Sequence, residues 1–261
     1  MDSDFSDISA ELETWYGRGG GEYLLAAIRD SLEPILDTSF GYHLLQIGPG
    51  RDQALYDGSR INHRIYCSDT AGGDVNLVAV AEELPLESDS VDTLIALHCL
   101  DFSERPHEAL REMQRVVTPQ GKLIIIGFNP YSLLGAGARM RRLTGNRLWQ
   151  EHTPVSQQRL TDWLRLLGCQ IESQQSLYRV PPIGSGRLRN WLTRLDQWGA
   201  RHSLPCGGVY LLHAIKQVAG INRPDAVRRR ERLMGLAVPK PSAVPAPSPA
   251  RPAARRGNGT P

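Results

Sequence analysis

Gly48, Gly50 and Asp69 are the residues of this chain whose types and spacing suit them to hold a nucleoside. The run Leu44-Leu45-Gln46-Ile47-Gly48-Pro49-Gly50-Arg51-Asp52 reads as a buried strand that breaks into a glycine turn, with a short helix beginning near Arg51. Without a Cβ, Gly48 and Gly50 let the main chain turn sharply and let a ligand lie against it. Asp69 closes the next strand, Arg64 to Asp69, about 20 residues on, the spacing at which an acid meets ribose hydroxyls in α/β proteins. Such a set binds an adenosine-bearing cofactor. An ordinary strand–helix turn with no ligand is the alternative.

Two common cofactor classes fit poorly. A dinucleotide fingerprint needs a small residue three positions after its second glycine, and here that residue is Gln53. Pro49, between the glycines, has no N–H to offer a pyrophosphate. The chain contains no G-x-x-x-x-G-K-[ST] phosphate loop. A turn that admits adenosine but is badly equipped for phosphates points to S-adenosylmethionine.

His98 and Asp101 are the candidates for proton handling. His98 stands near the end of the apolar run Val91 to Cys99 and Asp101 just beyond it, where a buried strand delivers side chains to a ligand. A histidine titrates near neutrality and can serve as a general base, which methyl transfer needs only if the acceptor must lose a proton. The structural readings are a histidine capping the strand end and an aspartate capping a turn or helix. Cys67, Cys99, Cys169 and Cys206 form no C-x-x-C pair, so reduced core cysteines and no metal site are expected.

Positioning these residues requires an α/β framework. Ala10 to Leu36 has helical apolar spacing, interrupted by Gly19-Gly20-Gly21, with Pro34 expected to kink or restart it. Strands are expected at Tyr42–Ile47, Arg64–Asp69, Val78–Val80, Val91–Cys99 and Lys122–Phe128, then at Cys169–Tyr178 and Gly208–Lys216. Between Asp69 and Val78 any helix is stunted by Gly72-Gly73. Ala109, Leu110, Met113, Val116 and Val117 make one apolar helical stripe that Pro119-Gln120-Gly121 stops. Further amphipathic helices are expected at Gln157–Leu167 and Arg187–Ala200. Alternating strands and helices mean a doubly wound, mostly parallel sheet of the Rossmann-like kind. The expected organisation is an N-terminal helical segment (1–40), an α/β domain (41–217) and a basic, Pro/Ala-rich disordered tail (218–261).

In this order the pieces resemble the class I S-adenosylmethionine-dependent methyltransferases, specifically the group called methyltransferase type 11. Ala81-Glu82-Glu83-Leu84-Pro85-Leu86-Glu87-Ser88-Asp89-Ser90-Val91-Asp92 is similar to that family's "AEDLPFPDNSFD" segment. Leu97 to Phe102 falls on the end of its fourth strand, and Glu108 to Gly121 resembles its "ALREIARVLKPGG" helix and turn. The likeness is good from Tyr42 to Gly127. It implies a seven-stranded sheet whose last strand is antiparallel. It also implies that Gly48 and Gly50 pass close to the methionine half of the cofactor, that Asp69 accepts from the ribose, that Ala81 and Glu82 border the adenine, and that Leu97 and His98 border the sulfonium. The chain departs from the family at Gln46, where an acid holding the cofactor's amino end is usual, and at Val80, where an acid often meets the adenine amine. A non-catalytic relative that binds the same cofactor or none, with a regulatory or scaffolding role, is therefore the alternative to an enzyme acting on an unidentified, small acceptor.

Composition agrees with a globular protein, at 41% hydrophobic and 22% charged residues. No apolar run is long enough to span a membrane, and the acidic start lacks a signal-peptide core, so a cytoplasmic location is expected. The net charge of +2 is unevenly placed: from Val218 onward nine basic residues face two acidic ones, a net +7 that leaves −5 on the rest. That tail, and the cluster Arg139, Arg141, Arg142 and Arg147, invite a nucleic-acid or lipid partner, but a solvated surface is the favoured reading. Asn129-Pro130-Tyr131 reads as a strand-to-loop turn, with Tyr131 a candidate to line a pocket. No motif specifies an oligomeric state.

Overall fold

Leu94–Leu97 and Leu123–Ile126 are apolar without interruption, so neither face of the sheet they build can meet water. The computed structural model describes residues 11–17, 19–48, 53–132, 134–137, 140, 154–177 and 207–217. Its strands are β1 (His43–Ile47), β2 (His63–Ser68), β3 (Leu77–Val78), β4 (Val91–Leu97), β5 (Val117–Phe128), β6 (Cys169–Leu177) and β7 (Val209–Lys216). They form one seven-stranded sheet in the order β3-β2-β1-β4-β5-β7-β6. β1 lies parallel to β2 and β4, β2 to β3, and β4 to β5. β7 runs antiparallel between β5 and β6. This is the doubly wound sheet with an antiparallel last strand. The chain steps outward from β1 to β3 and then returns to β4 on the other side of β1. The order of strands therefore reverses at β1, the kind of switch point outside whose carboxyl ends open α/β sheets hold their ligands.

The five described helices that matter are α1 (residues 11–16), α2 (Gly19–Asp37), α3 (Cys99–Phe102), α4 (Pro106–Val116) and α5 (Gln157–Leu166). Because strand side chains alternate, Leu44, Ile95, Leu97, Ile124 and Ile126 face one way, and α2 covers them with Leu24, Ile28, Leu32 and Leu36. Leu45, Ile47, Leu94, Ala96, Leu123 and Ile125 face the other way, under Ala109, Leu110, Met113 and Val116 of α4 and Leu160 and Leu164 of α5. The carboxyl end of α4 is closed from across the sheet. The Lys216 ammonium donates to the carbonyls of Gln114 at 2.8 Å and Val117 at 2.7 Å, and pairs with Asp89 at 2.6 Å. A cation there meets both the orphan carbonyls and the negative end of the helix dipole.

Several expectations are corrected. The helix expected near Arg51 is absent from residues 53–62, which run as turns and irregular chain; residues 49–52 lie outside the described set. Gly58 breaks that stretch, and Gln46 ties its start down by hydrogen bonds. The strand at Val91 stops at Leu97, so Cys99 opens α3 instead of ending β4. The turn is made at His98, which has a left-handed backbone with φ 53°. Pro34 does not restart the helix, since α2 runs unbroken through it to Asp37. β3 lies one to two residues earlier than expected. The Arg187–Ala200 helix, Cys206, the Arg139–Arg147 cluster and the tail fall outside the described residues, and the second of two chain units, 222–261, lies wholly there. Among the described residues no helix is long and apolar enough to cross a membrane.

His213 on β7 gives the fold an acid limit. It is 8% exposed, and its Nε2 has no hydrogen-bond partner among the described residues. Burial, with a smaller contribution from the Lys122 charge, pushes its pKa down from 6.5 to about 4. The unfolded chain therefore binds this proton more readily, so stability is full above pH 6.5 and falls as pH drops from 6.5 toward 4. His213→Leu should remove a loss of about 3 kcal/mol across that window, read by urea unfolding at a series of pH values. An identical slope in both proteins would exclude His213 as the source.

Candidate functional site

The crevice at the carboxyl end of the sheet has a volume of about 300 Å³. Ile47 and Gly48 from β1 and its turn, Ser68, Asp69 and Thr70 from the end of β2, Ala79–Glu82 after β3, and Cys99 and Phe102–Arg105 from α3 and its exit line it. Gly48, Asp69, Ala81 and Glu82, distant in sequence, thus share one cavity. Gly50 lies outside the described residues.

Gly48 is needed there for packing. A Cβ at this position would stand 3.2 Å from the Leu97 carbonyl oxygen and 3.3 Å from the Leu97 Cβ, tighter than side chains usually tolerate. The first glycine of the turn therefore lets β1 end against β4, and a ligand can approach its open side. Asp69 is half-buried, with the Ser68 hydroxyl donating to Oδ1 at 3.1 Å. Glu82 accepts a hydrogen bond from the Ser103 hydroxyl at 2.5 Å, and Ser103 Oγ in turn accepts from the Arg105 N–H at 3.0 Å. These bonds tie the Ala81–Glu82 wall to the α3–α4 wall.

Arg115 on α4 buttresses the first of those walls from behind. Its guanidinium donates to the carbonyls of Leu84 at 3.0 Å and Leu86 at 2.9 Å, and it pairs with Glu112 at 2.8 Å. Hydrogen bonding from Arg115 holds the Glu112 carboxyl below its ordinary range, against the opposing effect of burial.

Gln46 and Leu97 do not line this crevice. Gln46 is fully buried, its amide nitrogen donating to the Gln53 carbonyl and its oxygen accepting from the Leu55 N–H, both at 2.8 Å. It anchors the chain that follows the glycine turn. Leu97 is fully buried, and its contact with the site is the one it makes against Gly48. Asn129 Oδ1 accepts from the Tyr131 N–H at 3.0 Å, closing a local turn, and Tyr131 is 78% exposed instead of lining the cavity.

His98 and Asp101 are both 0% exposed. Asp101 Oδ2 accepts from the Phe128 N–H at 2.8 Å and meets His98 Nδ1 at 3.0 Å. A carboxylate can only accept, so Nδ1 carries the proton and Nε2 presents a lone pair. That nitrogen lies 2.5 Å from the Tyr16 hydroxyl, which donates to it from α1. The imidazole stacks on Phe128 with ring centres 3.9 Å apart. Burial, and then the Asp101 charge, raises the Tyr16 pKa far above its usual value, so it stays a neutral phenol. Cys99 lines the crevice, but burial also pushes its thiol upward and leaves it unreactive. Among the described residues no cluster of three or more metal-binding side chains occurs.

Tyr16, Ser103 and Phe128 were not legible as site residues. The only sequence signal at Tyr16 is the pair Trp15-Tyr16 before a glycine-rich link, and nothing in it specifies contact with residue 98.

Comparison with known proteins agrees with this geometry. The family profile described as a methyltransferase domain matches residues 45–125, which hold every crevice-lining residue. The protein YafS of Escherichia coli K12 is 28% identical over 174 residues, covering 65% of this chain and 70% of that one. Among solved structures, a SAM-dependent methyltransferase from Thermotoga maritima, described as a possible histamine N-methyltransferase, superposes with TM-score 0.60 at 19% identity, over 83% of this chain and 100% of that one. A SAM-dependent methyltransferase from Archaeoglobus fulgidus gives 0.51 at 19% identity, over 75% and 94%. Geranyl diphosphate methyltransferase in complex with its substrate and sinefungin gives 0.52 at 15% identity, over 77% and 84%. At these identities the structures speak for the fold. Over residues 45–125 the chain is thus similar to the methyltransferase-domain family, and its sheet has the class I methyltransferase fold.

Proposed function

We propose that this protein binds S-adenosylmethionine in the crevice above Gly48 and transfers its methyl group to a small acceptor. The observation that carries this reading is the convergence of Gly48, Asp69, Ala81 and Glu82 on one cavity of about 300 Å³. Its size lies at the lower end of the usual range of about 300–1,000 Å³ for small-molecule sites.

The residues present fit the cofactor. Asp69 supplies carboxylate acceptors for the ribose hydroxyls, and Ala81 and Phe102 supply apolar surface for a purine. Gly48 leaves the main chain open to the methionine end. Gln46 acts indirectly, by ordering the chain after the turn through Gln53 and Leu55. When bound, S-adenosylmethionine supplies a methyl carbon already activated by a positive sulfur. The protein's work is then to align the acceptor and exclude water. His98, held in one tautomer by Asp101, is the group available to take a proton from an acceptor that must lose one.

Two features favour a second reading, a cofactor-binding protein without transferase activity: the Gln46 amide is committed to the main chain, and Val80, at the rim, brings no charge to the adenine side. Titration calorimetry with S-adenosylmethionine and S-adenosylhomocysteine, followed by transfer of labelled methyl groups into fractionated cell extract, separates the two. Binding with transfer is the expected result. Binding without transfer to any fraction supports the second reading, and no binding removes both.

A further inference from the structure

Tyr16, His98 and Asp101 are buried together, at 3%, 0% and 0% exposure, in surroundings that are otherwise apolar and aromatic. Burying three polar groups there costs desolvation that leucines would not, and the turn at His98 takes a left-handed backbone that only a tightly packed corner sustains. Cofactor binding in the crevice uses none of the three. Yet His98 stands between Leu97, which packs on Gly48, and Cys99, which lines the cavity.

Resting on the methyl-transfer reading, we infer that α1 is a lid whose Tyr16 phenol occupies the lone pair His98 offers to the acceptor, and that the acceptor presents a hydroxyl group. The Asp101–His98 pair is arranged to receive a proton at Nε2, and in the closed state a hydroxyl of this chain already donates there at 2.5 Å. Whatever replaces that phenol must offer the same chemistry: an O–H beside an apolar or aromatic body that packs on Phe128. The lid is built to move. α1 has only six residues and is held in the core by Leu12 and Tyr16. It is separated from α2 by only Gly17 and Arg18, and the first three residues of α2, Gly19 to Gly21, are glycines, poor helix formers. Its closed position depends on the absence of a side chain at Gly21, where a Cβ would overlap the Trp15 carbonyl oxygen and the Tyr16 main chain.

In the transfer, the acceptor oxygen bonds to the methyl carbon as the carbon–sulfur bond breaks, and that bond's electron pair stays on sulfur to leave neutral S-adenosylhomocysteine. The hydroxyl proton passes to His98 Nε2. The resulting imidazolium faces the Asp101 carboxylate, which stabilises its charge without taking its proton.

Amide hydrogen exchange on the full-length protein tests this, with and without S-adenosylhomocysteine. Residues 11–16 should exchange well before β4 and β5, and Tyr16→Phe should speed them about fivefold, the effect of one lost hydrogen bond, while the strands stay protected. Gly21→Ala should hold the lid open and expose His98 to labelling by diethyl pyrocarbonate. Millimolar p-cresol, which carries tyrosine's hydroxyl, should accelerate exchange in α1, whereas toluene, of nearly the same shape, should not. Exchange of α1 only together with the strands would show a fixed core helix and overturn the lid. Equal effects of p-cresol and toluene, or none from either, would overturn the hydroxyl assignment. Calorimetry of S-adenosylhomocysteine is read separately, so failure to bind it removes the methyl-transfer reading while exchange still reports on the lid.

Discussion

Asp101→Ala is expected to lower stability by about 3–4 kcal/mol, within the range for deleting one member of a buried polar pair. For a domain of this size that corresponds to a fall in melting temperature of roughly 10 °C. Asp101 Oδ2 receives two donors, the Phe128 N–H at 2.8 Å and His98 Nδ1 at 3.0 Å, where neither can reach water. Truncation leaves both unsatisfied and opens a cavity between α3 and the end of β5. It also releases the tautomer of His98, so the ring can place its proton on Nε2 and no longer accept from Tyr16. Asp101→Asn, which retains volume and one acceptor, should lose about half as much. A shift of less than 2 °C for the alanine variant, measured by scanning calorimetry, would show that the carboxylate does not organise this corner.

That corner also marks the boundary of what could be read from the sequence. Apolar patterning located β1, β4, α4 and β7, because each carries an apolar run or stripe whose period is intrinsic to its own backbone, while the mostly polar β6 offers only an alternation of exposed and half-buried positions. Gly48, Asp69, Ala81 and Glu82 were legible as a set because each follows a strand of a parallel sheet. Topology then delivers all four to one end. The contact between Tyr16 and His98 spans 82 positions and depends on where a six-residue helix folds back, which no local pattern encodes. Gln46 was legible as a departure but not as an anchor, since its partners are main-chain groups of Gln53 and Leu55 and carry no sequence signature. The helix expected near Arg51 failed for a related reason. Leu55 is drawn into the core, and the Gln53 carbonyl and Leu55 N–H are both taken by Gln46, which pins this stretch outside a helical turn.

These anchors suggest a division of labour within the site. The walls that would meet the cofactor are braced from outside: Arg115 behind Leu84 and Leu86, Ser103 against Glu82, Gln46 behind the glycine turn. On the proposed reading the side facing the acceptor is closed instead by α1, which packs Leu12 and Tyr16 into the core and donates from Tyr16 to His98. A methyl donor common to many reactions favours a preformed cradle. An acceptor that must enter, react and leave favours a part that opens, drawn from the less stable end of the fold.

Asp69→Ala tests the cradle most directly and should weaken binding of S-adenosylhomocysteine by about 10- to 100-fold, the loss of a charge-assisted hydrogen bond of about 1.5–3 kcal/mol. Asp69 is half-buried at the end of β2, and among the described residues its hydrogen-bond donor is its neighbour Ser68. The ligand-free variant should therefore melt within about 2 °C of the wild type, as surface substitutions do. Ligand changes this picture. At 100 times the wild-type dissociation constant, S-adenosylhomocysteine stabilises the parent protein by about 2.7 kcal/mol, but the variant by only about 0.4–1.4 kcal/mol. Calorimetric affinity and ligand-induced thermal shift must then fall together while the ligand-free melting point stays put. A carboxylate with a merely structural role predicts the reverse, a lower melting point and an unchanged affinity.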